Sequence, residues 1–310
     1  MRLIVFSGFL YTAALTFGCS EAPPSSGQTT SPTQSPSSAP TASAATSASA
    51  AAPPADDTLT VAVAEKAPLL GELEDDEDAQ DILFAGEMVR VVREIRPYHW
   101  AAKLDGTPDK REGVALEIRL SNDGASMFAF KPDLGAEVRV TSSTILCDAL
   151  SKQRPFDLKN CPAILRRAQT PSGGLLAYVA CSSGPCPIGV YQNGTMASIT
   201  VENIVSTRYY RGTKRALLLA TVRFIKDEGK QSGGGLVPIV IDGSTLSAKD
   251  PIYTDRVDAR DPSKMLARHV YAKITPAEVI LTGDEETKDS TGKSLSKTKI
   301  SEKHSLPSLD

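Results

Sequence analysis

The sequence predicts an all-β fold, mostly antiparallel, built as a sandwich or as two small sandwiches, with a β-barrel or partial propeller as the alternative. Three observations carry that prediction. Large side chains alternate with polar or small ones at a period of two, as in "VALEIRL", where Val114, Leu116, Ile118 and Leu120 are separated by Ala115, Glu117 and Arg119. Turn-forming stretches recur between such runs. The strongest is Asn193-Gly194 between "GVYQ" and "TMASITV", because both residues tolerate positive φ. Helix signals are confined to two short pieces, one near 147–151 and one opening at Pro162 in "CPAILRRA", where proline suits the first helical position.

From the N-terminus, residues 1–18 read as an export signal. Arg2 supplies a basic start, and Leu3 to Gly18 is a run of sixteen residues without a charge. That is short of the about 20 apolar residues a spanning helix needs. Cys19 follows directly, and after it come Ser, Glu, Ala and Pro with no basic stop-transfer flank. Gly18-Cys19 after an apolar run resembles a bacterial lipoprotein precursor, in which a small residue precedes the cysteine that is acylated and becomes the mature N-terminus. Leu15 stands one place earlier than in that family's usual pattern. The resemblance covers about twenty residues and implies a lipid attached at Cys19, an anchor in the membrane and a cell-envelope location at the outer membrane or periplasmic face.

Residues 19–58 read as a linker behind that anchor. Ala22 to Ala55 is 34 residues of Ala, Ser, Pro, Thr, Gln and Gly with no charge and no aromatic ring, so it cannot offset its ordering entropy. As a coil it reaches about 30 Å, and stretched toward polyproline II about 100 Å. Residues 59–283 then supply the β domain, with a candidate split near 206, and 284–310 read as a disordered tail of mixed charge and Ser/Thr.

Within the domain, "VALEIRL", the run holding Met127, Phe128 and Phe130, and "AEVRV" read as a three-strand meander joined by "SNDGA" and "KPDLG". "LEIRLSNDG" before an aromatic-bearing strand resembles strands of the immunoglobulin-type sandwiches of bacterial surface proteins, which implies an immunoglobulin-like sandwich. The Cys and Trp spacing of true immunoglobulin domains is absent. "LLAYVAC", "PIGVYQ" and "TMASITV" form hairpins, and "RALLLATVRF", apolar on both faces at 216–220, reads as a central strand. "GLVPIVIDG" carries Pro238, which suits an edge or a bulge. "RHVYAKI" and "EVILTG" follow, joined by a tight turn at Thr275-Pro276.

Four cysteines remain after Cys19. Cys181 and Cys186 bracket a hairpin turn, and Cys147 and Cys161 bracket a loop–helix segment, so proximity pairs each with its neighbour as structural disulfides in an oxidising compartment. Four cysteines allow three connectivities, and a zinc site is the other use, though no zinc-ribbon spacing is present.

Catalytic motifs are thin. No nucleophile elbow, zincin, P-loop or dinucleotide fingerprint occurs, no cofactor is expected, and no metal site. The net charge of −3 speaks against a nucleic-acid partner. His99 beside Trp100, the only tryptophan, reads as a candidate ligand contact or a half-buried strand end. His269 opens an alternating strand and reads as structural. Arg208, Tyr209, Tyr210 and Arg211 in "RYYRGTKR" combine cations with aromatic rings that can stack on sugars or clasp anionic groups of an envelope polymer. "ELEDDEDAQD" has seven acids in ten residues and reads as a solvated linker. Asp250, Asp255, Asp258 and Asp261 read as turn aspartates or a cation-holding loop.

Two functions fit. One is a non-enzymatic cell-envelope lipoprotein, a tethered β domain that binds a partner protein or an envelope polymer. The other is a secreted hydrolase or carbohydrate-processing enzyme using loop carboxylates, which requires His99, His269 and the 250–261 aspartates to converge on one pocket.

Overall fold

The computed structural model describes residues 57–73, 77–95, 98–104, 107–152, 160–179, 181 and 184–310, with 77–78, 98–104, 107–112 and 227 described by backbone alone. The export signal, Cys19 and the linker up to residue 56 lie outside the described residues. Asp57 and Thr58, expected as the end of the linker, already belong to the first strand.

In chain order the first half holds β1 (Asp57–Ala62), β2 (Lys66–Leu69), β3 (Glu77–Asp78), β4 (Asp81–Phe84), β5 (Glu87–Glu94), β6 (Tyr98–Leu104), β7 (Thr107–Gly113), β8 (Ala115–Arg119), β9 (Met127–Phe130) and β10 (Leu134–Val140). Helices α1 (Ser143–Ser151) and α2 (Cys161–Ile164) lead into β11 (Leu165–Gln169), β12 (Leu175–Val179), β13 (Pro185–Gln192) and β14 (Thr195–Glu202). Nine of these strands form one antiparallel sheet in the order β10-β1-β5-β11-β12-β13-β14, with β8 and β9 branching from β5. Two small sheets, β2-β4 and β3-β6-β7, flank it, and the β3–β6 pair is parallel.

The second half is a meander: β15 (Ile204–Arg211), β16 (Arg215–Lys226), β17 (Gln231–Asp242), β18 (Thr245–Ala248), β19 (Ile252–Asp258), β20 (Lys264–Ile274), β21 (Glu278–Asp289) and β22 (Ser294–Ser305). Seven run in sequence order across an eight-stranded sheet, and β18 attaches to β17. The fold is therefore all-β and mostly antiparallel, and among the described residues no sheet closes into a barrel.

The two large sheets pack as a sandwich because β12 is buried on both faces. Leu176 and Tyr178 join Ile188 and Val190 against Leu217, Leu219 and Ile239 of the second sheet. Leu175, Ala177 and Val179 point the other way, onto Leu146 and Leu150 of α1. Ala216 to Ala220 of β16 are buried without interruption, as an all-apolar central strand requires. The chain passes from one sheet to the other at Asn203, close to the candidate split, yet one apolar cluster spans both.

Four local expectations are corrected. The third strand of the first meander, β10, does not pair with β9. A 3-10 turn at Lys131–Asp133 carries the chain across, and β10 pairs with β1, Asp57 opposite Val140. Pro238 sits in an internal strand, tolerated because β19 pairs only as far as Leu236 and β18 begins at Ile239. The acidic run is not a plain linker: Glu77–Asp78 form β3, Asp81 opens β4, and residues 74–76 are outside the described residues.

The fourth concerns the tail. Residues 284–310 are ordered, with β21 continuing to Asp289 and β22 returning along it. Both faces there are polar, so the alternation that marks a half-buried strand is missing, and cross-strand pairing replaces it. Lys297 lies 3.2 Å from Asp284, and Lys303 pairs with Glu278. Asp289 shapes the reversal by accepting from the Thr291 and Lys293 backbone at 2.9 and 3.0 Å, with Gly292 at φ 84°. Leu306 and Leu309 then return to the core, where the Leu309 carbonyl accepts from Arg215 at 3.0 Å.

Both disulfides follow the pairing expected from proximity, Cys147–Cys161 and Cys181–Cys186, with Cα atoms 5.9 and 5.6 Å apart. They point to an extracellular or periplasmic setting. Among the described residues no helix is long and apolar enough to cross a membrane.

Candidate functional site

The "RYYR" motif does not form an exposed platform. On β15 the strand period turns Tyr209 and Tyr210 to opposite faces, yet both residues are covered, at 0% and 7% exposed. Tyr209 donates its hydroxyl to the Gln169 carbonyl at 2.8 Å, and Tyr210 meets Phe84 edge-to-face at 5.3 Å. Burial raises the Tyr209 hydroxyl well above its usual range, so it stays neutral. Arg211 reaches Gln169 Oε1 at 3.4 Å, and Arg208 is half-buried. The tyrosines are core, and the motif carries no open ring for a ligand.

His99 and Trp100 lie on β6, opposite Glu112 and Arg111; their side chains are outside the described residues. His269 is 75% exposed on β20, with Nδ1 3.7 Å from Asp255 Oδ1. His304 on β22 contacts Glu302 Oε2 at 3.2 Å.

The four aspartates do not gather. Asp258 accepts from Gln231 at 2.8 Å, Arg256 at 3.0 Å and Arg260 at 2.7 Å, and the bonds from Arg260 and Gln231 hold its carboxyl far below the usual range. Asp261 closes a turn onto Ser263 at 2.7 Å. Both line one cleft, Asp250 lines another beside His304, and Asp255 stands with His269 on an open sheet face. Among the described residues no group of three or more His, Cys, Asp or Glu side chains is placed to hold a metal ion.

Sequence reasoning missed the buried charges. Glu87 opens β5 at 2% exposure, facing the inter-sheet core. Its carboxylate accepts from Tyr178 Oη at 2.5 Å, the Phe84 backbone at 2.9 Å and Arg166 Nη2 at 3.1 Å. Burial pushes the carboxyl up by more than the Arg166 charge and these bonds pull it down. On the opposite face of β11, Arg167 bonds Asp57, which also accepts from the Ser143 hydroxyl at 2.8 Å. Burial raises the Asp57 carboxyl, yet the bonds from Arg167 and Ser143 outweigh it and the net shift is downward. The adjacent Arg166-Arg167 pair, read as part of a short helix, is what serves both faces of one strand.

A further group was also unmarked. Strands β10 and β13 are separated by four others in the sheet, yet the sheet curls so that Arg139, Val140 and Thr141 meet Tyr191, Gln192 and Asn193 around one cleft of about 360 Å³. Leu175 and Val140 form its apolar floor, and part of the Tyr191 ring packs on the same core. Gln192 Nε2 donates to the Ser172 carbonyl at 3.2 Å and ties the two adjoining turns. Among the described residues the side chains of Arg139, Tyr191 and Asn193 make no hydrogen bond or ion pair. The only trace of this site in the sequence is Asn193-Gly194, which puts Asn193 at a loop tip.

No protein-family model matches the chain, and comparison with curated proteins and with solved structures gives no match.

Proposed function

We propose that the chain is an exported envelope lipoprotein, anchored through a lipid on Cys19, whose β domain stands off the membrane on the residue 22–55 spacer and binds an envelope polymer or partner protein without catalysis. The observation that carries this reading is a division of labour among polar groups. The ionisable side chains inside the domain, Glu87, Asp57, Arg166 and Arg167, are engaged by structural partners, whereas the open cleft at the rim holds a cation and an aromatic ring with neither committed. The distribution of His269, Asp250, Asp255, Asp258 and Asp261 over three places favours binding over hydrolysis by those residues.

Two measurements test this. Intact mass of the protein from a membrane fraction is expected to equal residues 19–310 plus acyl chains, with no free thiol before reduction. A lipid-free soluble species overturns the anchor. Purified protein mixed with isolated envelope material is expected to sediment with it, and a protein that stays in the supernatant overturns the binding role.

A further inference from the structure

We propose that the cleft between β10 and the β11–β12 and β13–β14 turns binds a sugar unit bearing an anionic group, so that the envelope polymer of the preceding section is an acidic glycan. The inference rests on that binding role and narrows it.

Charge comes first. Among the described residues that line the cleft Arg139 is the one cation, Thr141, Ser172, Gln192, Asn193 and the Tyr191 hydroxyl complete the polar lining, and no carboxylate is among them. An exposed guanidinium with no counter-ion is a fork of donors suited to a carboxylate or a phosphate in two parallel bonds.

The remaining lining suits a ring with hydroxyls. Tyr191 is held in a row with Leu175 and Met196 by its cross-strand partners, so its half-buried ring is preorganised and the uncovered part presents a flat apolar surface. Asn193 adds an amide with both a donor and an acceptor, fixed at the loop tip by a left-handed backbone at φ 52° followed by Gly194 at φ 79°. Thr141 adds a hydroxyl from the opposite wall. Five polar side chains around two aliphatic ones and one aromatic ring, in a volume of about 360 Å³, make a mainly polar lining suited to a small hydroxylated ligand. A concavity of this size admits a ring or two of a glycan and not the broad face of a folded protein.

This is the chemistry the sequence offered at "RYYR", a cation beside an aromatic ring. The fold buries the two rings of that motif and places another cation and ring together from positions 139 and 191.

The test is calorimetric titration of the full-length mature protein with trigalacturonate, its methyl ester and pentamannose 6-phosphate. The first two share rings and hydroxyls but differ in charge, and the third carries phosphate in place of carboxylate. Trigalacturonate or the phosphorylated sugar is expected to bind, which identifies the anion, and the methyl ester is expected to bind about 10- to 100-fold more weakly than the acid. Arg139→Gln is expected to show the same loss, as befits one charge-assisted bidentate contact. Arg139 is exposed, so this variant keeps its fold, and Arg139→Lys should restore part of the affinity. Equal binding of acid and ester, an unaffected Arg139→Gln, or no binding of any probe overturns the proposal. Sedimentation with envelope material separates the two levels. If wild type sediments and Arg139→Gln sediments equally, the cleft is not the site and the binding role stands. If wild type does not sediment, the binding role itself fails.

Discussion

Glu87 shows how one side chain can bind two layers of structure together. A lone acid at the start of an alternating strand reads as solvent-facing, yet here it faces the inter-sheet core and closes on Tyr178, Arg166 and the Phe84 backbone. Removing the carboxylate takes the acceptor from the buried Tyr178 hydroxyl and the nearer carboxylate from Arg166, which keeps Asp81 at 3.6 Å, so Glu87→Ala is expected to cost about 3–5 kcal/mol in urea unfolding. Glu87→Gln keeps an acceptor for Tyr178 and costs less. The upward shift of the Glu87 carboxyl means that the folded state holds its proton more tightly than the unfolded chain. The wild-type advantage over Glu87→Gln is therefore greatest at low pH, shrinks as pH rises above the ordinary value of 4.5, and levels off past the folded value. An advantage that grows with pH over that range contradicts the assignment. Asp57 has the opposite sign. Its lowered carboxyl contributes stability that is present above the ordinary 3.8 and is lost as acid protonates the folded state, so Asp57→Asn is most harmful near neutrality and least at low pH.

At the scale of elements, the β21–β22 hairpin is where composition misleads. A chain ending at residue 283 would keep what the sequence reads as the domain, but it loses half of β21, all of β22 and the two leucines, Leu306 and Leu309, that return to the core. Burying one leucine contributes about 1.5–3 kcal/mol, so this truncation is expected to lower the melting temperature by several degrees, where a loose tail would leave it unchanged. Gly283 offers a finer probe, because a Cβ there would stand 2.1 Å from the His269 carbonyl oxygen on β20. Gly283→Ala is expected to cost about 1–3 kcal/mol through forced separation of the two strands. Elements marked by hydrophobic alternation beside a turn, or by an unbroken apolar run, were legible: β8, β13, β14 and the reversal at Asn193-Gly194 by the first, β16 by the second. Both disulfide pairs were legible from spacing alone. What was not legible depends on contacts distant in the chain. Nothing within "AEVRV" states that its partner is β1, and nothing near Arg139 states that sheet curvature brings it to Tyr191. The polar hairpin escaped for a different reason, since its stability lies in backbone pairing and charge complementarity, which leave no period in hydropathy.

For the whole domain, the placement of the large side chains decides how many cooperative units it contains. The chain changes sheet at Asn203, which would permit two independent halves if each sheet covered its own core. It does not: Leu176, Tyr178 and Ile188 from the first sheet and Leu217, Leu219 and Ile239 from the second occupy one cluster, so neither half can retain its buried surface alone. Every face of β12 is covered, by the second sheet on one side and by α1 on the other, and α1 is itself tied through Cys147–Cys161 to the segment that enters β11. Closing that loop is worth about 3 kcal/mol in the chain-entropy model, acting on the same unfolded ensemble as the core. Unfolding is therefore expected to be a single transition. Native-state hydrogen exchange should give the amides of β12 and of β16 the same global opening free energy, and Leu176→Ala and Leu218→Ala, one in each sheet, should lower both together by about 2–5 kcal/mol. Protection in β16 that survives Leu176→Ala would mean that the second sheet stands by itself, and the residue near 203 would then be a true domain boundary.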